Sequence, residues 1–420
     1  MVNLARPAPG AEALGLHVPN DIRPKVVEIR DFIERVARPI EERFGPRLID
    51  ERHHLDESGK IIPEMQEAKD EIRRLAGAAG YHALSVPAEL GGGGLRPIDL
   101  LYIQEEVYRD GLRLTKEVLS WTEGVSPLLH YLTNPHVRER YLGRLMRGEV
   151  SASFAATEPG AGSDLTAVQT TARRDGAGWV LNGHKAFITG APFAAFAQVV
   201  AQTEPGSGRQ GLAIFLVDAD TPGYRVGRVA TTLIEDGNTA DLHFDNCHVP
   251  AENLVGEVGQ GLPLALQYVN WIRMRRGGMC SGLAQFCFEA ALRHARQRRA
   301  FGRPIGEFEA VSWMLADIYT DLYAARSTSI QCLEDIERTG DTGLTVPPET
   351  IRKLSLMKLV NDESLYRITD RAIQVHGALG LTKALHLEKI FRVARNLRIP
   401  GGTTEIQRAT IVKTFDKLPI

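Results

Sequence analysis

The chain has 420 residues, of which 43% are hydrophobic and 24% charged, a composition typical of ordered globular proteins. Lys plus Arg number 50 and Asp plus Glu number 52, so the net charge of −2 gives no electrostatic support for a nucleic-acid or membrane partner. The sequence has no apolar run of 18 residues, so we expect no membrane-spanning helix. The first ten residues lack an apolar segment, and we expect no signal peptide there.

The cysteines predict a protein with reduced thiols rather than a disulfide framework. None of the four forms a C-x-x-C pair, and no histidine lies at zinc-ligand spacing from them. We therefore expect a cytoplasmic protein without a metal site. The cysteines are Cys247, Cys280, Cys287 and Cys332.

From about residue 20 to 150 the hydrophobic pattern is helical. Apolar residues recur every three or four positions, and a glycine-rich break at Pro87–Gly94 precedes a second helical stretch from about Asp99. The stripe consists of Val26, Ile29, Ile33, Val36 and Ile40. We predict an N-terminal helical domain over residues 1–150.

From residue 151 to 255 the pattern changes to that of strands. Phe196–Ala201 and Leu212–Val217 are apolar runs of strand length, and Ala240–Asp245 alternates apolar with polar residues. Two apolar runs flank Asn182-Gly183, which predicts a hairpin turn at that dipeptide. Helical periodicity returns after residue 256. We therefore predict a mainly α protein with a β middle domain (151–255) and a C-terminal helical bundle (256–420).

Three polar segments admit either a structural or a functional interpretation. Thr157–Asp164 is a glycine-rich loop in which backbone N–H groups could reach a ligand, but it lacks the third glycine of a dinucleotide-binding fingerprint. The arginines of Arg293–Arg303 form either a solvated helix face or a phosphate-binding stripe. Pro400–Glu405 is either a helix stop or a close backbone approach to a ligand.

Five segments, in this order, resemble the motifs of the acyl-CoA dehydrogenase family of flavoproteins. The resemblance covers about residues 20 to 415. The matching segments are Ala156–Asp164, Asn182–Thr189, Arg298–Ile305, Gln374–Gly380 and Gly402–Arg408.

The resemblance implies an N-terminal helical domain, a β-barrel-like middle domain and a C-terminal four-helix bundle, with FAD as the cofactor. It also implies an acyl-CoA or related small-molecule substrate and an electron acceptor such as an electron-transfer flavoprotein. The usual assembly in the family is a homotetramer. No nucleic-acid or membrane partner is expected.

The resemblance also assigns roles to individual residues. Thr157 would form a hydrogen bond with the flavin ring, and Thr189 would lie near the N5 atom of the ring. Phe187 would replace the tryptophan that usually covers the ring. Arg298 would bind the FAD pyrophosphate, in a neighbouring subunit. Arg273 would lie near the CoA thioester. The predicted cofactor residues are Phe154, Thr157, Ser163, Phe187, Ile188, Thr189, Arg298, Phe301, Gln374, Gly377, Ala378, Thr403 and Glu405, and the predicted substrate residues are Ser163 and Arg273.

One departure concerns the catalytic base, which takes the α-proton in this family. The usual glutamate position is Gly401, and the position that a subset of the family uses is Ile272. Neither side chain can accept a proton, so the catalytic residues stay unknown at this stage. Asp110 and Glu123 are the carboxylates to inspect first.

The departure leaves alternatives open. We place dehydrogenation of an acyl thioester first. The chain could instead run a flavin reaction without dehydrogenation, or be the silent partner in a hetero-oligomer. A DNA-binding flavoprotein is disfavoured by the net charge.

Overall fold

Helices form the first and last parts of the chain, and one β-sheet forms the middle. The structure is a computed structural model and describes residues 11–119, 125–204, 206–234, 236–339 and 344–417. This order of helices, sheet and helices confirms the predicted fold class. No helix in the described ranges is long and apolar enough to cross a membrane.

The N-terminal helices bury the apolar stripe that the sequence predicts. Val26 and Ile29 of α1, together with Ile33 and Ile40 beyond it, are buried in the main hydrophobic core. Pro63, Pro97 and Pro135 begin helices at the position where a missing N–H breaks no hydrogen bond. The helices are α1 (Arg23–Phe32), α2 (Arg38–Glu42), α3 (Pro63–Ala78), α4 (Pro97–Tyr108), α5 (Pro135–Arg138) and α6 (Arg144–Met146).

The middle segment is one eight-stranded sheet. Its strand order is β6-β7-β3-β2-β4-β5-β8, and β1 pairs with β4 in parallel. The three predicted strands are confirmed as parts of β4, β5 and β7. The strands are β1 (Ala152–Ala155), β2 (Thr171–Asp175), β3 (Gly178–Thr189), β4 (Phe196–Gln202), β5 (Leu212–Asp218), β6 (Tyr224–Val229), β7 (Thr239–Pro250) and β8 (Leu254–Val255).

The predicted hairpin turn at Asn182-Gly183 is wrong. Both residues lie inside β3, and the chain turns instead between Asp175 and Gly178. Gly176 takes a positive φ of 53° there, as tight hairpins require. Gly183 is needed for space, because a Cβ at this position would collide with the side chain of Thr170.

The C-terminal part is built around three long helices. α7, α8 and α9 pack against one another, and α10 and α11 pack on α9. A two-stranded hairpin, β9 (Arg299–Ala300) and β10 (Arg303–Pro304), directly follows α7. The helices are α7 (Gly261–Gln297), α8 (Glu309–Thr339), α9 (Pro348–His376), α10 (Leu387–Leu397) and α11 (Thr404–Lys413).

Candidate functional site

An exposed aromatic platform lies where β1 ends against β3. The Ala186 N–H donates to the Thr157 carbonyl at 2.9 Å, and the register of β3 against β7 shifts between Lys185 and Ile188. At this irregularity Phe187 adopts φ 57° and leaves 63% of its surface exposed. A bulge re-aims a side chain, and a positive φ is unusual for phenylalanine. We call Thr157, Phe187 and Thr189 the flavin platform, because the family resemblance assigns these residues to the flavin.

A buried ion pair supports the flavin platform from below. Lys185 Nζ donates to Glu158 Oε1 at 2.7 Å and to the Ala156 carbonyl at 3.2 Å, and its side chain is fully buried. Glu158 also accepts from the backbone N–H groups of Gln169 and Thr170. Burial lowers the pKa of Lys185 to about 8, against the attraction of Glu158. Burial also opposes ionisation of Glu158, but Lys185 and the hydrogen bonds hold its pKa below the usual value.

The remaining predicted residues of the middle segment differ in accessibility. Ser163 is exposed. Ile188 is buried in the core of the sheet, so only its backbone is available to a ligand. The Phe154 ring packs on Tyr268 of α7 with ring centroids 4.1 Å apart, which joins the sheet to the bundle.

The second group of predicted residues lies at the turn before α11. Gly401 and Gly402 both have positive φ values, 75° and 87°, which glycine adopts without strain. Thr403 then caps α11, its Oγ1 accepting from the Ile406 N–H at 3.3 Å. Glu405 follows in the first turn and is exposed. We call Gly401–Thr403 the glycine turn.

Arg273 of α7 holds the glycine turn in place. Its Nε donates to the Gly401 carbonyl at 3.1 Å, and its Nη1 donates to Asn270 Oδ1 at 3.1 Å. Gln407 donates to the carbonyls of both glycines. Burial lowers the pKa of Arg273 to about 10. The predicted substrate residue Arg273 therefore adjoins the turn that carries the predicted cofactor residue Thr403.

The two positions at which the family carries its base adjoin the same space. A Cβ built on Gly401 would lie 3.9 Å from Ile272 Cγ2 and 3.6 Å from Lys358 Cε. Both Gly401 and Ile272 are partly accessible. A carboxylate on either residue would therefore enter one shared gap, which we call the base gap.

A third group of predicted residues lies at the far end of α7. Phe301 and Gly302 form the turn of the β9–β10 hairpin, both with positive φ, and Phe301 is 95% exposed. Arg298 is exposed at the base of this hairpin, and its side chain makes no hydrogen bond with any described residue. Gln374, Gly377 and Ala378 are exposed at the end of α9. This end lies beside the end of α7, where the rings of His294 and His376 pack at a tilt with centroids 4.4 Å apart.

Two cavities lie elsewhere in the fold. The larger, about 410 Å³, lies between the N-terminal helices and α10, and it includes Met65 and His386. The smaller, about 240 Å³, borders Asn270 and Trp271 of α7. Neither cavity is lined by a predicted cofactor residue. Eight of the thirteen predicted cofactor residues are instead exposed on the surface of the chain, whereas Ile188 is buried.

Of the two carboxylates that the sequence analysis proposed to inspect as the catalytic base, the structure describes only Asp110. Asp110 binds Arg38 through both oxygens, at 2.7 and 3.0 Å, and also accepts from Thr115. This buried network favours a structural role for Asp110. Glu123 lies outside the described residues.

The residues present suit FAD in their chemistry. Phe187 offers an exposed apolar face to a planar ring, and the hydroxyls of Thr157 and Thr189 make no hydrogen bond with any described residue. Arg298 offers free guanidinium donors of the kind that bind phosphate. The flavin ring needs a flat apolar face and neutral hydrogen-bond donors, and the pyrophosphate needs a cation, so these residues provide the partners that FAD requires.

Comparison with known proteins identifies the family. Three family models match in order: the acyl-CoA dehydrogenase N-terminal domain (residues 28–149), middle domain (153–247) and C-terminal domain (259–415). The chain belongs to the acyl-CoA dehydrogenase family. It is thus an FAD-dependent oxidoreductase of the acyl-CoA dehydrogenase type, acting on CH–CH groups.

Relatives cover nearly the whole chain. It is 32% identical over 392 residues to cyclohexane-1-carbonyl-CoA dehydrogenase of Geobacter metallireducens, covering 93% of this chain and 98% of the relative. It is 32% identical to the mitochondrial short-chain specific acyl-CoA dehydrogenase of Homo sapiens, covering 91% and 87%. A solved structure described as an electron transferring flavoprotein of Acidaminococcus fermentans superposes with a TM-score of 0.81 at 26% identity, covering 95% and 99%. These relatives favour dehydrogenase chemistry over the alternatives left open by the sequence.

Sequence reasoning missed the charged residues behind the site. Glu158 and Lys185 lie inside two of the quoted motifs, yet nothing in their spacing shows that they pair. Lys358 and Asp362 are spaced i,i+4 on α9, a pattern that usually marks a solvated helix face. Here both are fully buried and 2.6 Å apart.

Proposed function

We propose that this acyl-CoA dehydrogenase oxidises the Cα–Cβ bond of an acyl-CoA thioester, with the flavin platform and the glycine turn on either side of the reacting atoms. The observation that carries the proposal is the exposed Phe187, held in a left-handed conformation beside two threonines with unpaired hydroxyls. The chemistry that FAD supplies when bound is acceptance of a hydride equivalent from Cβ, and the α-proton would pass to water at the partly accessible base gap, since neither Gly401 nor Ile272 can accept it.

The chain's own residues supply position and polarity in this proposal. Thr157 and Thr189 would donate hydrogen bonds to the ring system, and Phe187 would exclude water from one of its faces. The Lys185–Glu158 pair fixes the two segments that carry these residues, because it joins β3 to the loop after β1. Thr403 and Glu405 would close the site from the bundle side. Phe154 and Ile188 would contribute through backbone and packing.

The proposal predicts slow reaction with simple straight-chain acyl-CoAs. A general base typically contributes ~10²–10⁴-fold to rate, and neither Gly401 nor Ile272 carries an acid. Ile272 is the better place to add one, because a helical residue needs no unusual backbone whereas Gly401 has φ 75°. In Ile272→Glu the new carboxylate would enter the base gap beside Arg273.

The decisive experiment is anaerobic flavin reduction by butyryl- and octanoyl-CoA. We expect Ile272→Glu to raise the rate of bleaching by about 10²-fold over wild type, while Ile272→Gln, its neutral match, does not. A wild type that already reduces rapidly would place a base outside Gly401 and Ile272. If neither wild type nor Ile272→Glu reduces with any acyl-CoA while FAD stays bound, the proposed function is wrong.

We further propose that the active assembly is a homo-oligomer, specifically a homotetramer. Arg273 and the end of α7 at Gln297 are 24 residues apart, about 36 Å at 1.5 Å per residue. These two ends of α7 are too far apart for one FAD to contact both Thr403 and the Arg298 hairpin of the same chain. We therefore expect one copy to supply Thr403 and a second copy to supply the Arg298 hairpin. The open surfaces on which both groups lie are consistent with completion by a second copy.

Arg298 provides a test of the shared cofactor site. Arg298→Ala should weaken FAD binding by about 1.5–3 kcal/mol, the usual contribution of a charge-assisted hydrogen bond. Arg299→Ala is the matched control, because Arg299 already bonds the Gly302 carbonyl within its own hairpin. Light scattering should give a multiple of 46.3 kDa. A monomer that holds FAD with undiminished affinity would contradict the shared site.

We also propose that the electrons leave to an electron-transfer flavoprotein. Support comes from the structural relative whose description names an electron transferring flavoprotein. Stopped-flow oxidation of the reduced enzyme by a purified electron-transfer flavoprotein tests this acceptor, with molecular oxygen as the comparison.

A further inference from the structure

Arg273 is a buried cation without a carboxylate partner. The residue is 7% exposed, and it forms no ion pair with any described residue. Its two hydrogen bonds with described residues go to neutral oxygens, the Gly401 carbonyl and Asn270 Oδ1. A buried charge is ordinarily paired, because taking it out of water costs several kcal/mol.

The donors that remain on Arg273 lie beside the base gap. Its Nη2 makes no hydrogen bond with a described residue and lies 3.1 Å from the position a Cβ of Gly402 would take. Gly401 contributes no side chain, and Ile272 contributes only methyl groups to the gap. The gap is therefore partly accessible, apolar on one side and lined by guanidinium donors on the other.

The charged residues behind the gap do not neutralise the positive charge of Arg273. Lys358 Nζ binds Asp362 at 2.6 Å, and Arg276 Nε lies 3.4 Å from the other oxygen of the same carboxylate. One buried carboxylate thus serves two cations, and Arg273 adds a third. Arg276 Nε and Asp362 Oδ1 also lack hydrogen-bond partners. This cluster holds an excess of buried positive charge.

We propose that the acyl group of the physiological substrate carries a carboxylate, which binds Arg273 in the base gap. This inference rests on the proposed function and narrows its substrate to carboxylated acyl thioesters. The guanidinium fork matches a carboxylate in geometry, and the ligand supplies the negative charge that neither Gly401 nor Ile272 provides. Because the gap adjoins the α-carbon in the proposed orientation, a carboxylate on or next to that carbon fits best.

The test compares matched thioesters that differ by a methyl against a carboxylate. The pairs are isobutyryl- and methylmalonyl-CoA, and butyryl- and succinyl-CoA, each titrated into the FAD-loaded enzyme and followed by the flavin absorbance. We expect the carboxylated member of at least one pair to bind about tenfold more tightly or better. Equal or weaker binding of both carboxylated members overturns the inference while leaving the proposed function standing. If none of the four perturbs the flavin, the inference is overturned, and the proposed function is decided separately by the flavin reduction experiment with Ile272→Glu.

The Ile272 variants make the same test without disturbing Arg273. Ile272→Glu places a carboxylate in the gap from the protein side, so it should remove the preference for carboxylated thioesters by about tenfold or more. Ile272→Gln fills the same volume without charge and measures the steric part of this loss, so it should retain more of the preference than Ile272→Glu does. A preference that survives Ile272→Glu, with FAD still bound, would show that the carboxylate binds elsewhere and would overturn the inference.

Discussion

Two clusters of buried charged residues lie behind the two halves of the proposed site, and they differ in the balance of positive and negative charge. Beneath the flavin platform, Lys185 meets one carboxylate, Glu158, whose oxygens are also filled by backbone donors. Behind the glycine turn, Asp362 serves both Lys358 and Arg276, and Arg273 has no carboxylate. The first pair is complete and stabilises the strands. The second cluster is incomplete until an anion arrives.

The largest effect should follow from removing the single carboxylate of the balanced pair. Glu158→Ala leaves a buried lysine charge and unfilled backbone donors, and should lower the free energy of unfolding by about 3–5 kcal/mol. Asp31→Ala is the control, since its ion pair with Arg35 is exposed and should contribute less than about 0.5 kcal/mol. Urea denaturation measures both. Similar losses in the two variants would mean that Glu158 is not the anchor described here.

The two lysines should respond differently to the same substitution. Lys185→Met leaves Glu158 without its cation and should cost about 3–5 kcal/mol of unfolding free energy. Lys358→Met leaves Asp362 with Arg276 and reduces the excess positive charge, so we expect a loss smaller by about 1–2 kcal/mol. The comparison uses denaturation at neutral pH. A larger loss in Lys358→Met would reverse the proposed difference in charge balance.

Lowering the pH should reduce the contribution of the Lys185–Glu158 pair to stability, but should not reduce that of the cluster around Asp362. The folded pKa of Glu158 is lowered, so its contribution to stability is present above the unfolded value and is lost as the pH falls. Burial raises the pKa of Asp362, so protonation there favours the folded state. Wild type should therefore lose more stability than Glu158→Gln as the pH drops from about 6 to about 3.5. Unfolding curves at each pH measure the difference; parallel losses would contradict this assignment.

Much of the fold was accessible from the sequence because local patterns carry it. The stripe from Val26 to Ile40, the strand predicted over Phe196–Ala201 and the helical character of the C-terminal part follow from period and length alone. The hairpin failed because Asn-Gly is a statistical turn signal, and the space beside Thr170 explains Gly183 equally well. Whether Gly183 forms a turn or makes room for a side chain depends on Thr170, which lies outside the Asn-Gly pattern and its two flanking apolar runs.

The motifs, their order and the empty positions at Gly401 and Ile272 were determined by the sequence itself. Only the tertiary structure decided that these two positions share one gap, since Arg273 meets the Gly401 carbonyl across 128 residues of chain. It also decided that Lys358 and Asp362 are buried, where i,i+4 spacing predicts a solvated face. Burial and charge balance are sums over all neighbours of a group, so a pattern along one helix does not contain them.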